Sequence, residues 1–443
     1  MADEKTLLTK LEAAELKFGM ADEKALEKLL DPALPNILGF LSSPHAAVKN
    51  KVMAILSHLN KRVKGDASIK LPLPGLCKVF GSAATPLAAN FALIYIEMGL
   101  PRVSSAERAA LVPPLLVGIA ARPAAQQETL FGLLAAALPS LPLPKTAVQL
   151  SGPTATLPFL CAADDRKAAL SWCRDMLLYL PPLAATPDAA AAGLSPAAAK
   201  RVCGRLADAE VRGELLAAKK LAVCRLLAAT TDDGAKLFAP HETLTHWVIG
   251  ACDSNGNVAL QAETALRLAG PADLESAPLV DELTTLLLGA QEGEQRRTAA
   301  SVAVQLRAAV LLGKSVAAAN RFPGIVQVVF TAIFGGAPPK LVDAGARLAQ
   351  WVAEQAEPQM LTAIGGHLLS GMLKVLRGEG IGKMRPESAE ATSARSAAYG
   401  ALGALARRAP AGAPAGIAPQ DSPGALLPER VGATHGYDME TDI

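Results

Sequence analysis

The sequence has few aromatic residues, no paired-cysteine motif and no long uninterrupted apolar run. Aromatic side chains make up 4% of the 443 residues, whereas hydrophobic residues together make up 51%. Most of that apolar content is Ala and Leu, which are both good helix formers, so the core must consist of many small contacts. A chain that is half apolar is also not disordered throughout.

The six cysteines form no CxxC pair and stand at no zinc-ligand spacing with histidine. They are Cys77, Cys161, Cys173, Cys203, Cys224 and Cys252. The usual sequence patterns of zinc sites and dithiol redox motifs are therefore absent, and we expect neither a metal nor a cofactor. Most of the cysteines lie in apolar helical runs, so we expect buried thiols in a reducing compartment.

The apolar runs are too short, and the net charge too small, for two further classes of protein. No run reaches the roughly 18 residues of a membrane-spanning helix, and the charged start MADEKTLLTKLEAAELKFG lacks the apolar centre of a signal peptide. We expect a soluble intracellular protein without membrane insertion. The net charge of +2 is close to neutral for this length, which argues against a dedicated nucleic-acid binder.

Two segments of the sequence resemble each other, LSSPHAAVKNKVMAILSHLNK from Leu41 and FGSAATPLAANFALIYIEMGL from Phe80. At a constant offset of 39, the apolar positions Val48, Val52, Ile55 and Leu59 match Leu87, Phe91, Ile94 and Met98. A self-similar period near 40 that alternates turns and helices is typical of HEAT and armadillo repeats. Weaker copies begin at Gln126, Cys252, Glu294, Pro339 and Ser393; in the second of these we expect Asp253 to cap the helix.

The pattern predicts an all-α, HEAT/armadillo-like solenoid, a right-handed superhelix of antiparallel helix pairs. Strand signals are few; QVVF, residues 327–330, is the strongest and fits a buried helix equally well. We assign the solenoid to residues 1–408, with loops rich in Pro and Ala near 139–165 and 181–198. The composition of residues 409–443 predicts a disordered tail.

Catalytic motifs give no credible active site. The string AVLLGKSV, with Gly313, Lys314 and Ser315, resembles a phosphate-binding loop, but it continues a helix and lacks the preceding strand. We interpret Gly313 as a helix C-cap. The histidines, and carboxylate pairs such as Asp164–Asp165, form no catalytic set; the carboxylates are expected to cap helices.

The densest basic cluster lies in KVMAILSHLNKRVK and the residues just before it, and it comprises Lys49, Lys51, Lys61, Arg62 and Lys64. No aromatic residue is interleaved with it, so base stacking is not indicated. Cations at a helix C-terminus favour the helix dipole, which is sufficient reason for them to be there. A protein-docking surface is the functional alternative, and these five residues are our candidates for it.

An ordered series of segments resembles the N-terminal region of the large HEAT-repeat proteasome adaptor and scaffold family. The series includes KVMAILSHLNKRVK, IKLPLPGLCKVF, NFALIYIEMGLPRV, ACDSNGNVALQAETALR and FPGIVQVVFTAIFGG, and it covers about residues 5–408. Members of that family are several times longer. The resemblance implies a non-enzymatic, monomeric adaptor that binds regulatory- and core-particle subunits of the proteasome, in the cytoplasm and nucleus, and supports or monitors its assembly.

Two other functions stay open from the residues themselves. A HEAT-type transport receptor or general protein scaffold, similar to importins, shares the predicted architecture, although a carrier of basic signals needs an acidic inner surface and the inward helices show no acidic run. A nucleotide hydrolase using Gly313–Ser315 is the third hypothesis, and it requires measurable nucleotide binding.

Overall fold

A computed structural model describes residues 4–82, 85–180, 192–203, 209–268, 274–381 and 384–408. Within these ranges nearly all of the regular secondary structure is helical, which confirms the predicted all-α class. The predicted tail, 409–443, and most of the predicted loop at 181–198 lie outside the described residues. None of the described helices is both long and apolar enough to cross a membrane.

The chain divides into two compact units, the first formed by residues 1–176 and 200–238 and the second by 177–199 and 239–443. The helices up to residue 238 are α1 Glu4–Met20, α2 Glu23–Gly39, α3 Ala46–Gly65, α4 Leu73–Ser82, α5 Pro86–Gly99, α6 Ser105–Leu115, α7 Ala124–Ala137, α8 Ala163–Leu178, α9 Pro196–Cys203 and α10 Ala209–Leu227. The pairs α4–α5 and α6–α7 pack as successive helical repeats, α2 packs on α4, and α1 packs on α3.

The second unit contains the remaining helices and one β-hairpin. Its further elements are α11 Pro240–Gly250, α12 Gly256–Leu268, α13 Ala277–Leu288, β1 Ala290–Glu292, β2 Gln295–Arg297, α14 Val302–Leu312, α15 Val316–Ala319, α16 Gly324–Phe334, α17 Pro339–Gln355, α18 Pro358–Leu376 and α19 Ala389–Arg408. QVVF lies within α16 and is helical. Asn255, and not Asp253, caps α12, because its side chain accepts hydrogen bonds from the backbone N–H groups of Asn257 and Val258.

The repeat register differs from the predicted one by a single residue. The N-caps of α3 and α5, His45 and Thr85, are 40 residues apart. At that offset the buried positions pair as Val48 with Ala88, Val52 with Ala92, Ile55 with Tyr95, Leu56 with Ile96 and Leu59 with Gly99. The offset of 39 was wrong because it matched the buried face of α3 to the outer face of α5, where Leu87 and Ile94 are each 39% exposed.

Arginine side chains tie consecutive second helices together. Arg62, near the end of α3, donates to the carbonyl oxygens of Phe18 and Ala21 at the end of α1, over 2.5 and 2.8 Å. Arg102 occupies the equivalent place 40 residues later, and it donates to carbonyl oxygens at and beyond the end of α3. The last carbonyls of a helix have no intrahelical donor, so each guanidinium completes the helix before it.

Residues 139–165 contain short 3₁₀ turns before α8 begins at Ala163. Asp165, in the first turn of α8, is 4% exposed. Its carboxylate accepts hydrogen bonds from the backbone N–H groups of Gly118 at 2.6 Å and Ala120 at 2.9 Å. The predicted capping role is therefore met in an unexpected way, because Asp165 caps a distant 3₁₀ turn, Ile119–Ala121, and not its own helix.

The β-hairpin was not predicted, and EQRRTAASVAVQL is not one continuous helix. Its first residues form β2, and α14 begins only at Val302. Gly289 permits the turn from α13 into β1, since its φ is +75° and an added Cβ would lie 2.3 Å from the carbonyl oxygen of Arg297. The buried Arg297 guanidinium binds the Glu292 carboxylate at 2.7 Å and the Gly193 carbonyl oxygen at 2.8 Å, which anchors the hairpin.

We expect Arg102→Met to lower the free energy of unfolding by about 2–3 kcal/mol, because hydrogen bonds from a charged donor to helix-terminal carbonyls are lost. Urea denaturation followed by circular dichroism measures this change. Lys64→Met is the control, since Lys64 is an exposed cation on the helix that Arg102 completes. Equal stability of the two variants would contradict a stabilising role for the hydrogen bonds from Arg102 to the end of α3.

Replacement of Asp165 by Ala leaves the backbone N–H groups of Gly118 and Ala120 without their buried carboxylate acceptor, and we expect a loss of about 2 kcal/mol in unfolding free energy. Asp164→Ala removes an exposed carboxylate from the same helical turn and is expected to change stability by less than about 0.5 kcal/mol. Chemical denaturation of both variants tests the difference. A large loss in Asp164→Ala would show that charge in this turn, and not the buried contact, matters.

Candidate protein-docking surface

The five basic candidates lie on α3 but point in two directions. Successive residues advance by about 100° around a helix, so Lys49, Lys64 and Lys61 share an arc of about 120°. Lys51 and Arg62 lie beyond that arc, on the side that faces α1. The cluster that looks continuous in the sequence is therefore two groups of residues with different surroundings.

Lys51 and Arg62 are engaged within the chain. The Lys51 ammonium group binds the Glu15 carboxylate of α1 at 2.5 Å. This hydrogen bond, together with the charge of Glu15, raises the pKa of Lys51. The Arg62 guanidinium donates hydrogen bonds to backbone carbonyl oxygens at the C-terminal end of α1, as described above. Both residues hold α1 against α3.

Lys61 and Lys64 are exposed, and Lys49 is partly exposed. Within the described part of the chain, no ion pair joins any of these three to a carboxylate. Their charges face solvent at the end of α3 and along its side. These three residues are the part of the candidate set that is available to a partner.

A groove of about 370 Å³ lies between α1 and α3. Its lining combines apolar residues with charged ones and comprises Glu15, Phe18, Gly19, Ile55, His58, Leu59, Lys61 and Arg62. Its floor is the packed α1–α3 interface, and the exposed side chains of His58 and Lys61 border its opening. Such a lining suits a peptide side chain better than a polar small molecule.

Residues 309–316, whose sequence resembles a phosphate-binding loop, do not form an anion site. Gly313 ends α14, as predicted, and its N–H donates to the Ala309 carbonyl oxygen. The backbone N–H groups of Val316 and Ala317 donate to the Glu275 carboxylate at 2.9 and 2.6 Å. A carboxylate of the chain itself therefore takes the position that a phosphate would need.

A larger groove, of about 640 Å³, runs beside α14, α17 and the start of α19. Its charges are mixed, with Lys314 and Lys340 near Asp343 and Glu390. Arg347 is already committed, since it binds the Asp343 carboxylate at 3.1 Å and the Ser393 hydroxyl at 2.8 Å. The groove offers apolar contact area, but its mixture of positive and negative side chains does not favour a partner of either charge.

The cysteines are less uniformly buried than predicted. Cys173 and Cys224 are buried, Cys77 and Cys252 are partly exposed, and Cys161 is exposed. Burial raises the pKa of Cys77 to about 11, which keeps that thiol protonated at neutral pH. In the part of the chain that the structure describes, no three His, Cys, Asp or Glu residues are grouped to hold a metal ion.

The sequence interpretation missed an exposed apolar row on α5. Leu87 and Ile94 are each 39% exposed, and Phe91 and Met98 are partly exposed. The predicted offset of 39 had matched these four residues to Val48, Val52, Ile55 and Leu59, which are buried on α3. The signal was present, because Asn90 and Glu97 are the only amide or charged residues in PLAANFALIYIEMG, so apolar residues must remain on an outward face once one side is packed.

Comparison with known proteins identifies relatives along nearly the whole chain. Residues 11–414 match the family model described as proteasome component ECM29, N-terminal. The human proteasome adapter and scaffold protein ECM29 is 28% identical over 91% of this chain and 23% of its own length. The Drosophila melanogaster proteasome-associated protein ECM29 homolog is 26% identical over 90% of this chain and 20% of its own. The chain thus spans less than a quarter of these relatives' length, and it belongs to the family of the ECM29 N-terminal region.

Proposed function

We propose that this chain is a non-enzymatic adaptor module that docks on the proteasome through the surface of its helical repeats. The family match over residues 11–414 is the observation that carries the proposal. The human relative's name contains the words adapter and scaffold, and the Drosophila relative's name says that it is proteasome-associated. Because the chain covers less than a quarter of each, the activity of the whole proteins comes to it only as a proposal.

The geometry of the described helices supports protein docking more than it supports catalysis. Side-chain hydrogen bonds join α5 to α3 and α7 to α5, so these three helices are neighbours in the first unit. Exposed lysines at the end of α3, Lys61 and Lys64, give part of their surface a positive charge. Charges of this kind steer a partner and select it by complementarity.

The finer features of the function belong to the same proposal. The chain acts as a monomer, contacts regulatory- and core-particle subunits, binds no nucleic acid, and works in the cytoplasm and nucleus. Its net charge of +2 supports the exclusion of nucleic acid. If the chain binds the regulatory and core particles at the same time, it can support or monitor the assembly of the proteasome.

The first test is affinity purification of the tagged 443-residue chain from a soluble lysate, without crosslinker, followed by mass spectrometry. We expect proteasome subunits of both particles to be recovered in reproducible ratios. Purified proteasome, regulatory particle and core particle, each offered separately to the purified chain, then identify the particle that is bound directly. Absence of all three from the bound fractions would contradict the proposal.

The paired substitution Lys61→Glu and Lys64→Glu is expected to weaken binding to purified proteasome about five- to twentyfold at low salt, because exposed interfacial charges act mainly on association. Arg62 is left unchanged, since it completes α1. Lys5→Glu with Lys10→Glu makes the same charge change at two exposed positions of α1 and serves as the control. Equal affinity of both double variants would remove the end of α3 from the docking surface.

A further inference from the structure

The groove between α1 and α3 has an apolar floor and an open wall on the side of α1. Phe18, Ile55 and Leu59 form the floor, and each of them is at most 5% exposed. Gly19 lies in the α1 wall, where an added Cβ would meet nothing within 4 Å. The α3 wall includes the exposed side chain of His58. The floor is therefore closely packed, whereas the space above Gly19 is open to a group that enters from solvent.

The length and volume of the groove suit one large side chain. From Ile55 to Arg62 the α3 wall extends about 10 Å, or two helical turns. The volume of about 370 Å³ is near the lower end of the range for pockets that hold small molecules. An extended peptide covers the same length with about three residues. The groove thus has room for one aromatic or leucine side chain and for the residues next to it in a bound segment.

The charges of the groove are divided between its two ends. At one end the Lys51 ammonium group binds the Glu15 carboxylate at 2.5 Å. This hydrogen bond, together with the nearby charge of Glu12, raises the pKa of Lys51, so this end has no excess of positive charge. At the other end lie Lys61 and Arg62, and no ion pair joins either of them to a carboxylate among the described residues. The second end of the groove is therefore positively charged.

Two exposed apolar side chains of α1 lie beside the groove. Leu16 is 66% exposed and Met20 is 80% exposed. They are four residues apart and therefore share one side of the helix. Leu16 lies about 60° around α1 from Gly19, on the side away from Phe18, so the two side chains extend the apolar surface beyond the α1 wall. The opening of the groove is thus bordered by apolar side chains on α1 and by the cation of Lys61 on α3.

We propose that the groove between α1 and α3 binds a short acidic segment of a partner protein through one bulky apolar side chain. That side chain enters above Phe18 and Gly19, and the carboxylates beside it pair with Lys61 and are attracted by the Arg62 guanidinium. Complementary charge selects an acidic segment over a basic one. The inference rests on the proposed function only in placing that segment on a proteasome subunit, because the chemistry of the groove does not depend on the proteasome.

A short synthetic peptide tests the groove without any proteasome. It carries a single Phe with a run of Glu on one side, and its two counterparts replace either the Glu run by Lys or the Phe by Ser. Fluorescence anisotropy with the full chain is expected to show at least about tenfold tighter binding of the Phe–Glu peptide than of either counterpart. High salt is expected to abolish the preference over the Lys peptide. Equal affinity for the three peptides would overturn the proposal.

Two substitutions with matched controls locate the binding. Gly19→Leu fills the groove from α1, and Gly132→Leu adds the same side chain at an exposed position of α7 where an added Cβ also has open space. Lys61→Glu reverses the charge at the opening, and Lys17→Glu does so at an exposed position on the other side of α1. We expect Gly19→Leu and Lys61→Glu each to weaken Phe–Glu peptide binding about tenfold or more, with the controls within about twofold. Circular dichroism verifies that each variant is folded.

The remaining outcomes decide between the groove and its alternatives. Equal losses of peptide binding in Gly19→Leu and Gly132→Leu would overturn the assignment to the groove. Much tighter peptide binding after Asp438→Asn, Glu440→Gln and Asp442→Asn together would assign the groove to the chain's own segment GYDMETDI and overturn the partner. Peptide binding as expected, combined with absence of proteasome from the purifications, would uphold the groove and reject the proposed function, so the two failures are distinguishable.

Discussion

The hydrogen bonds from an arginine to the last carbonyl groups of the preceding second helix set the register of the first unit. Arg62 completes α1 and Arg102 completes α3, and the two arginines are separated by one repeat of 40 residues. A charged donor on a helix C-terminus is favoured both by the unsatisfied carbonyls and by the helix dipole. Because each arginine spans two helices, a shift of one residue in either helix would break the contact.

The fixed register determines which residues face outward. With Ala88, Ala92 and Ile96 turned inward, Leu87 and Ile94 must stay at the surface, since they lie on the other side of the same helix. Together with the partly exposed Phe91 and Met98 they form an apolar ridge on α5, whereas the equivalent positions of α7 carry the small residues Ala125, Thr129, Gly132 and Ala136. The apolar ridge is thus a consequence of repeat geometry acting on a helix with two apolar faces.

The second unit uses related polar contacts in another arrangement. Arg408, at the end of α19, donates to the carbonyl oxygens of Ala353 and Ala356 near the end of α17, over 2.8 and 2.6 Å. The buried Arg297 fastens the hairpin to the segment around Gly193, and Glu275 takes the free N–H groups at the start of α15. In each case a side chain distant in sequence satisfies backbone groups that a helix or turn leaves unpaired.

Periodicity, composition and local capping were enough to predict the all-α class, the approximate repeat length and the end of α14 at Gly313, because all three depend on residues close together in the chain. The sequence did not determine the register of α5, since apolar residues on both faces satisfy two periodic alignments equally well. Nor did it separate Arg62 and Lys51 from Lys61 and Lys64, since charge density does not reveal an acceptor more than 35 residues away. Both points depend on contacts between distant segments, namely the packing of α1 on α3 and the carbonyl groups to which each arginine donates.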